Sequence, residues 1–481
     1  MKRTKIIATL GPATNNEETL AQLFEEGVDI IRLNGSHYRD KNDVKNDVEL
    51  IRRVSQQTNK HIAIFFDLQG PKIRIGTFKK DGVILETDQT FTFKSDTDVL
   101  GTNSYCGLTT PEILKDLSVG EPVSIDDGNV RLVIESITDG DVQCKVTQGG
   151  KISNHKGVNL PLSNISVSAI TEKDIEDIQT AIENDVDYIA LSFVSKASDV
   201  QQLRGIIQAS NRPHIGIISK IERRSAVDHL VDIIIVSDVV MVARGDLGVE
   251  IGLEKVPEVQ KITIRECNKH ITPVIVATQM LESMVTKPTA TRAEVSDIAN
   301  AIYDRCDCIM LSAETAVGDF PIEVVQTMRR ICEESDKYLS ELKKSKFSQV
   351  KRIFETTSKA TTFCKAADQI AEEVNANVLI AFTSSGNTAL ISSKLNPSIP
   401  IIAPTDNVIV VRKMALYRGV IPMMMPTGFK DIESWGKMIQ VALEDAKGSG
   451  NVRVGDLAVV TAGYPIGRPG GTNSIRMIEV N

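Results

Sequence analysis

From Lys5 onward, short apolar runs alternate with amphipathic stretches of helical length. KIIATLGP (5–12) reads as a strand closed by a Gly-Pro turn. Asn15 and Asn16 are placed to cap a helix over 17–26, and Gly27 ends it. DIIRLNGSH (29–37), a polar helix to about residue 58 and HIAIFFDLQGPK (61–72) follow, making two and a half βα units. Between about 70 and 164 the helical period disappears, and short alternating segments are separated by Asp81-Gly82, Asp127-Gly128 and Asp139-Gly140. Asp-Gly between alternating apolar residues is a hairpin signal, so this stretch predicts a small all-β domain inserted after the third strand. Gly70-Pro71 and Leu160-Pro161 mark its hinges.

The βα rhythm resumes at Thr171, an N-cap, and YIALSFVSK (188–196) is the next strand segment. Two apolar runs rich in β-branched residues, 215–219 and 239–243, read as buried strands joined by a crossover of helical length. Strand segments within 271–284 and 307–318 complete a count of eight, which predicts a (β/α)8 TIM barrel. A doubly wound open sheet is the competitor, disfavoured by the even count and by the lack of a G-x-G-x-x-G opening. Charged residues 333–348 read as a connector. Beyond 356 a second βα series, with strands in 377–388, 400–406, 419–426, 456–465 and 474–480, predicts a separate α/β domain. The expected architecture is an α/β chain with its TIM barrel drawn from 1–69 and 164–343. A small β-barrel is inserted at 70–163, and a C-terminal α/β domain covers 344–481.

Composition narrows the function classes. A chain of 481 residues fits roughly three domains. The net charge of −8 argues against nucleic acid as a partner, and an aromatic content of 4 % offers no base-stacking platform. It also means that an anionic substrate would need a local cluster of Arg and Lys. No apolar run approaches the roughly 18 residues of a membrane span. The first residues lead into a strand rather than into a signal-peptide core, and the odd count of seven scattered cysteines suggests reduced thiols in a cytoplasm. Cys306 and Cys308 lack a second Cys/His pair at zinc spacing and read as core residues.

In a TIM barrel the active site lies at the carboxyl ends of the strands. Those ends carry Thr9, Arg32, Asn34, Ser36, His37, Asp67, Ser192, Lys196, Lys220, Glu222, Asp246, Thr278, Ser312 and Glu314, a ring of carboxylates, cations and hydroxyls. Two carboxylates and a lysine at neighbouring strand ends, Lys220, Glu222 and Asp246, suit an oxygen-liganded divalent metal handling phosphate.

The motifs SKIERRSAV (219–227), MVARGDLGVEI (241–251), ATQMLESM (277–284) and PTATRAEVSDIANAIYDRCDCIMLSAETAVGD (288–319) make the chain resemble the pyruvate kinases from end to end. The resemblance implies transfer of the phosphoryl group of phosphoenolpyruvate to ADP, giving pyruvate and ATP. It implies Mg²⁺ or Mn²⁺ on Glu222 and Asp246, and Lys220 stabilising the transferring phosphoryl group. Arg32 would bind the phosphate, and backbone donors of Gly245 and Asp246 the substrate carboxylate. Thr278 would lie on the protonation face with Ser312 and Glu314 near enough to join a relay. Thr9, Pro12, Asn34, His37, Arg74 and Lys196 would line the ADP side.

Members of the family that need K⁺ hold it with groups matching Asn34, Ser36, Asp67 and the carbonyl of Leu68, and read D-T-K-G-P-E after the third strand. This chain reads D-L-Q-G-P-K, with Lys72 where the acid stands, so K⁺ independence is expected. The inserted domain would act as a water-excluding lid. The C-terminal domain carries no catalytic constellation and is expected to be regulatory. Thr383, Ser384, Ser385, Gly386, Asn387 and Thr388 match the family's effector loop for a phosphorylated metabolite, with Arg468 near it. A homotetramer is the family expectation. Two competing readings are a Mg²⁺-dependent enolpyruvate-type aldolase or lyase, and a catalytically inactive metabolite sensor. Lys220 and the nucleotide-side residues argue against the first, and the intact Glu222, Asp246 and Lys220 against the second.

Overall fold

The computed structural model describes residues 2–126, 128–163, 168–344, 354, 357–429, 434–463 and 471–481. Asp127, expected in a hairpin turn, and Arg468, expected near the effector, lie outside the described residues. Three strands open the chain: β1 (Lys5–Thr9), β2 (Ile30–Asn34) and β3 (Ala63–Asp67). The insertion supplies β4 (Val83–Leu85), β5 (Thr90–Lys94), β6 (Tyr105–Gly107), β7 (Pro122–Ile125), β8 (Val130–Thr138), β9 (Asp141–Gln148), β10 (Gly150–Ile152) and β11 (Val158–Asn159). Six of these pair in the order β11-β7-β8-β9-β5-β6, while β4 and β10 form a separate ribbon. The chain then returns through β12 (Tyr188–Leu191), β13 (Gly216–Ile221), β14 (Val239–Ala243), β15 (Val274–Ala277) and β16 (Cys308–Met310). These five close a parallel barrel with the first three, β16 pairing with β1.

The continuous apolar character of the barrel strands has a structural reason. Alternate residues face opposite ways along a strand. In every barrel strand one set (Ile7, Ile30, Phe65, Tyr188, Ile218, Met241, Ile275, Cys308) packs in the barrel lumen. The intervening set (Ile6, Ile31, Ile64, Ile189, Ile217, Val240, Val274, Ile309) packs under the surrounding helices. Both faces are buried, so both sets must be apolar. The strand β13 runs further than the apolar pattern alone predicts. Lys220 and Ile221 still pair with Met241 and Val242, which places the lysine inside the sheet edge rather than beyond it.

The C-terminal sheet orders β17 (Val378–Ala381), β18 (Ile401–Thr405), β19 (Val420–Met424), β20 (Leu457–Gly463) and β21 (Thr472–Glu479) as β19-β18-β17-β20-β21, the last antiparallel. The segment Met414–Leu416 and Tyr417 belong to the same apolar cluster as the barrel lumen. Polar contacts reinforce that floor. The Tyr188 hydroxyl donates to Lys413 O at 3.0 Å, and Lys394 pairs with Asp307 at 2.5 Å with both side chains buried. The inserted domain has its own core, including Phe91, Phe93, Leu132 and Val146. The seven cysteines are unpaired and buried, Cys308 on a barrel strand. Among the described residues no helix is long and apolar enough to cross a membrane.

Candidate active site

Three ends of adjacent strands bring the central charges together. On β13, Lys220 Nζ lies 2.8 Å from Glu222 Oε1, 3.2 Å from Asp67 Oδ1 at the end of β3, and 2.7 Å from Ser192 Oγ just past β12. Ser192 in turn donates to Leu68 O at 2.7 Å. An ammonium has three N–H donors, and here each faces one protein oxygen. The contact to Asp67 is the longest and lies off hydrogen-bonding alignment, leaving Asp67 Oδ1 buried with a charge partner but no hydrogen bond. From β2, Arg32 places Nε 2.8 Å and Nη2 2.7 Å from the other Asp67 oxygen, with Nη1 3.4 Å from Thr9 Oγ1.

Electrostatics follow from this geometry. Burial alone would raise the Asp67 carboxyl, but Lys220 and Arg32 more than reverse it and hold the group below the ordinary carboxylate range. Burial would lower the Lys220 ammonium, and Asp67 and Glu222 instead push it above its usual value, so it stays charged. Glu222 is driven upward by burial and by the nearby Asp246, against the pull of Lys220. A second carboxylate crowding a buried one is an arrangement that a divalent cation relieves. Among the described residues no cluster of three or more His, Cys, Asp or Glu side chains is arranged to hold a metal. Glu222 and Asp246 lie close enough for their charges to interact, and such a pair suits a hard cation that keeps waters and completes its shell with substrate oxygens.

Asp246 opens the short helix Arg244–Ile251 after β14. Lys72, at the root of the inserted domain, has Nζ 4.0 Å from Asp246 Oδ1. The Gly245 N–H, expected to face a substrate carboxylate, donates instead to Thr278 Oγ1 at 3.0 Å. Because Thr278 accepts that bond, its own hydroxyl proton is directed elsewhere. Thr278 and Gln279 have φ of 72° and 52°. A β-branched residue in the left-handed region is strained by about 1–3 kcal/mol. Arg244 holds the turn, its Nε donating to Ala277 O at 3.1 Å and Nη2 to Thr278 O at 2.6 Å, while Nη1 pairs with Asp297 at 2.7 Å.

Glu314 is engaged by backbone donors. Fully buried, it accepts the N–H of Leu281 at 3.1 Å on one oxygen and that of Ser312 at 2.6 Å on the other, so it straps two strand-end turns together. Ser312 stands directly before the four-residue helix Ala313–Ala316, without a side-chain capping bond. Thr9 is buried, its hydroxyl donating to Leu311 O at 2.8 Å. Pro12, Asn34 and His37 line a cleft of about 740 Å³, in which Asn34 Nδ2 lies 3.3 Å from His37 Nε2 and Ser36 N–H turns back to Asn34 Oδ1. Arg74 and Lys196 do not line that cleft. Arg74 donates to His155 O within the inserted domain, and exposed Lys196 starts the helix Ala197–Ala209.

In the C-terminal domain, Gly386 (φ 88°) caps the helix Asn387–Lys394, and its N–H donates to Thr383 Oγ1 at 2.9 Å. The Thr388 and Thr472 hydroxyls lie 2.8 Å apart. Ser384 is half-buried, and Ser385 and Asn387 are exposed.

Lys220, Glu222, Asp67, Arg32, Ser192 and Thr9, all read from strand ends, thus meet, while Arg244 and Phe193 enter as supporting residues. Arg244 stood at a strand end, the signal that finds it. Phe193 carried none, because its part depends on a backbone φ of 55° and on its N–H, which donates to Glu222 Oε2 at 2.8 Å.

The chain is similar to known proteins over its whole length. The family model "Pyruvate kinase, barrel domain" matches residues 1–325, and "Pyruvate kinase, alpha/beta domain" matches 361–478. A pyruvate kinase of Methylorubrum extorquens is 40 % identical over 483 residues, covering 100 % of this chain and 98 % of its own. That of Clostridium perfringens is 38 % identical over 485 residues, covering 100 % of both. The crystal structure of a pyruvate kinase from Cryptosporidium parvum superposes with a TM-score of 0.92 at 34 % identity, covering 100 % of this chain and 96 % of that one.

Proposed function

The chain belongs to the pyruvate kinase family, and from that premise we propose how its own residues transfer a phosphoryl group from phosphoenolpyruvate to ADP. The observation that carries the reading is the Lys220 ammonium between Asp67 and Glu222, with Arg32 on the far side of Asp67. Arg32 binds the phosphate with the guanidinium edge not engaged by Asp67, which fixes its plane. Lys220 meets the phosphoryl oxygens by exchanging its longest contact, the one to Asp67. It arrives charged and oriented, so little reorganisation accompanies transfer.

Glu222 and Asp246 would hold Mg²⁺ or Mn²⁺, which when bound neutralises charge on the substrate oxygens. The Thr278 hydroxyl, its lone pair occupied by Gly245 N–H, has its proton available for the face where the enolate is protonated. Pro12, Asn34 and His37 form the floor for ADP, and the inserted domain closes over it carrying Arg74. Production of pyruvate from phosphoenolpyruvate in the presence of Mg²⁺, strictly dependent on ADP, is the direct test. Pyruvate released without ADP would overturn the reading.

Activity independent of K⁺ is part of the same proposal. Lys72 sets an ammonium against Asp246, and three of the four groups expected around K⁺ already have protein partners. Asp67 pairs with Arg32 and Lys220, Leu68 O accepts Ser192, and Asn34 accepts Ser36 N–H. Turnover in Tris buffer is expected to change less than about tenfold, 1.4 kcal/mol, on adding K⁺. Lys72→Glu is expected to create a K⁺ requirement. A wild-type enzyme activated more strongly than that would refute the role of Lys72.

The loop Thr383, Ser384, Ser385, Gly386, Asn387 and Thr388 would receive a phosphorylated metabolite, through its exposed Ser385 and Asn387 and the start of its helix. Arg468 would approach the same ligand. Titrating sugar phosphates and AMP at low phosphoenolpyruvate identifies the effector. The functional assembly would be a homotetramer.

A further inference from the structure

Glu222 is followed directly by Arg223, whose guanidinium lies 5.2 Å from the centre of the Phe193 ring. The same Phe193 donates its N–H to Glu222 Oε2, from a left-handed backbone that an aromatic residue adopts only when its surroundings hold it there. One of those surroundings is Gly70, at the outgoing hinge of the inserted domain. A Cβ on Gly70 would stand 2.8 Å from the Phe193 ring, so the ring and the hinge are in close contact. Arg223 and Glu250 line one pocket, and the Glu250 carboxylate attracts the guanidinium. Asn159, on the returning strand β11, Arg224 and Glu250 line the same pocket as Arg223, and the Asn159 side-chain amide and the Arg224 backbone favour the charged form of Glu250. Between these groups lies a pocket of about 320 Å³ bordered by Lys72, Asn159, Arg223, Asp246 and Glu250. Both connections of the inserted domain, outgoing and returning, therefore end on one assembly that also holds a carboxylate oxygen of Glu222.

We propose that Asn159, Glu250, Arg223 and Phe193 form a positioning relay through which the placement of the inserted domain sets the alignment of Glu222 toward a divalent cation. The inference rests on the reading that Glu222 is a ligand of that cation. With the lid in the described position, Asn159 holds Glu250. Glu250 holds Arg223 over the Phe193 ring, and the ring keeps the Phe193 N–H on Glu222. Moving the returning strand removes Asn159 and loosens the series from its far end. Cation binding and lid position are then linked, and by linkage each favours the other.

The test is Mn²⁺ binding to the full chain, measured by calorimetric titration without substrate, for wild type, Glu222→Gln, Arg223→Met, Arg223→Lys, Asn159→Ala and the Asn159→Ala/Arg223→Met double variant. Arg223→Met is expected to weaken Mn²⁺ binding by about tenfold, the low end for a group that orients a ligand. Arg223→Lys is not expected to restore it, because an ammonium lacks the flat face that lies over the ring. Asn159→Ala touches neither carboxylate, yet is expected to weaken binding in the same direction. The double variant is expected to lose less than the product of the two single effects, as groups in one series do. Wild-type affinity in Asn159→Ala, or independent multiplication of the two effects, overturns the relay while leaving the metal reading intact. Unchanged affinity in Glu222→Gln removes the metal reading itself and the relay with it. Should Arg223→Met fail to fold by circular dichroism, Asn159→Ala decides alone.

Discussion

Replacing Lys220 with methionine is expected to lower phosphoryl-transfer turnover by about 10³-fold, the upper range for removing one preorganised electrostatic group, while divalent-metal binding survives. Methionine keeps most of the length and loses the charge. The ammonium sits between Asp67 and Glu222 with three protein oxygen atoms at 2.7–3.2 Å. Without it the developing charge on the phosphoryl oxygens has no oriented partner at that point. The metal site responds in the opposite sense. Lys220 is a positive charge 2.8 Å from Glu222, so its removal makes the carboxylate pair more attractive to a cation. Steady-state pyruvate formation and Mn²⁺ titration on the same preparation separate the two effects. Turnover close to wild type would refute the assigned role, and loss of Mn²⁺ binding together with turnover would show a collapsed site instead.

Arg32→Lys is expected to reduce kcat/KM for phosphoenolpyruvate by about 10²-fold, in line with loss of charge-assisted bonds to a substrate phosphate. A lysine keeps the charge but not the fork. Arg32 binds Asp67 through Nε and Nη2 and still presents further N–H groups, whereas a single ammonium near a buried carboxylate stays on it. The phosphate is present before and during transfer, so KM for phosphoenolpyruvate should rise along with any fall in kcat. The KM for ADP should change little. The reverse pattern would move Arg32 to the nucleotide side.

The barrel was legible because its strands are buried on both faces, which leaves unbroken apolar runs that end abruptly in polar groups. The inserted domain was legible through its turns: Asp139, at φ 53°, is the residue that Asp-Gly spacing marks. The charges of the site were legible as strand-end residues, since a parallel barrel puts all carboxyl ends on one side. Strand-end position alone does not say what a polar group faces. Glu314 shows this: the same placement that suggests a relay serves equally to cap backbone N–H groups, and only the fold distinguishes the two. The Gly245 N–H likewise donates to Thr278, a bond between the segments that follow two neighbouring strands, which no local spacing encodes. Arg223, Glu250 and Asn159 meet across long stretches of chain, so their association exists only once the inserted domain is seated.

The shared apolar cluster of barrel lumen and C-terminal domain has a thermodynamic consequence. Met414, Leu416 and Tyr417 complete the packing of residues such as Tyr188 and Cys308, whereas the inserted domain packs around its own phenylalanines. Barrel and C-terminal domain are therefore expected to unfold as one cooperative unit, and the inserted domain as a second. Native-state hydrogen exchange would register this as protection that rises and falls together in β1, β12 and β17, with β8 and β9 exchanging on a separate free-energy scale.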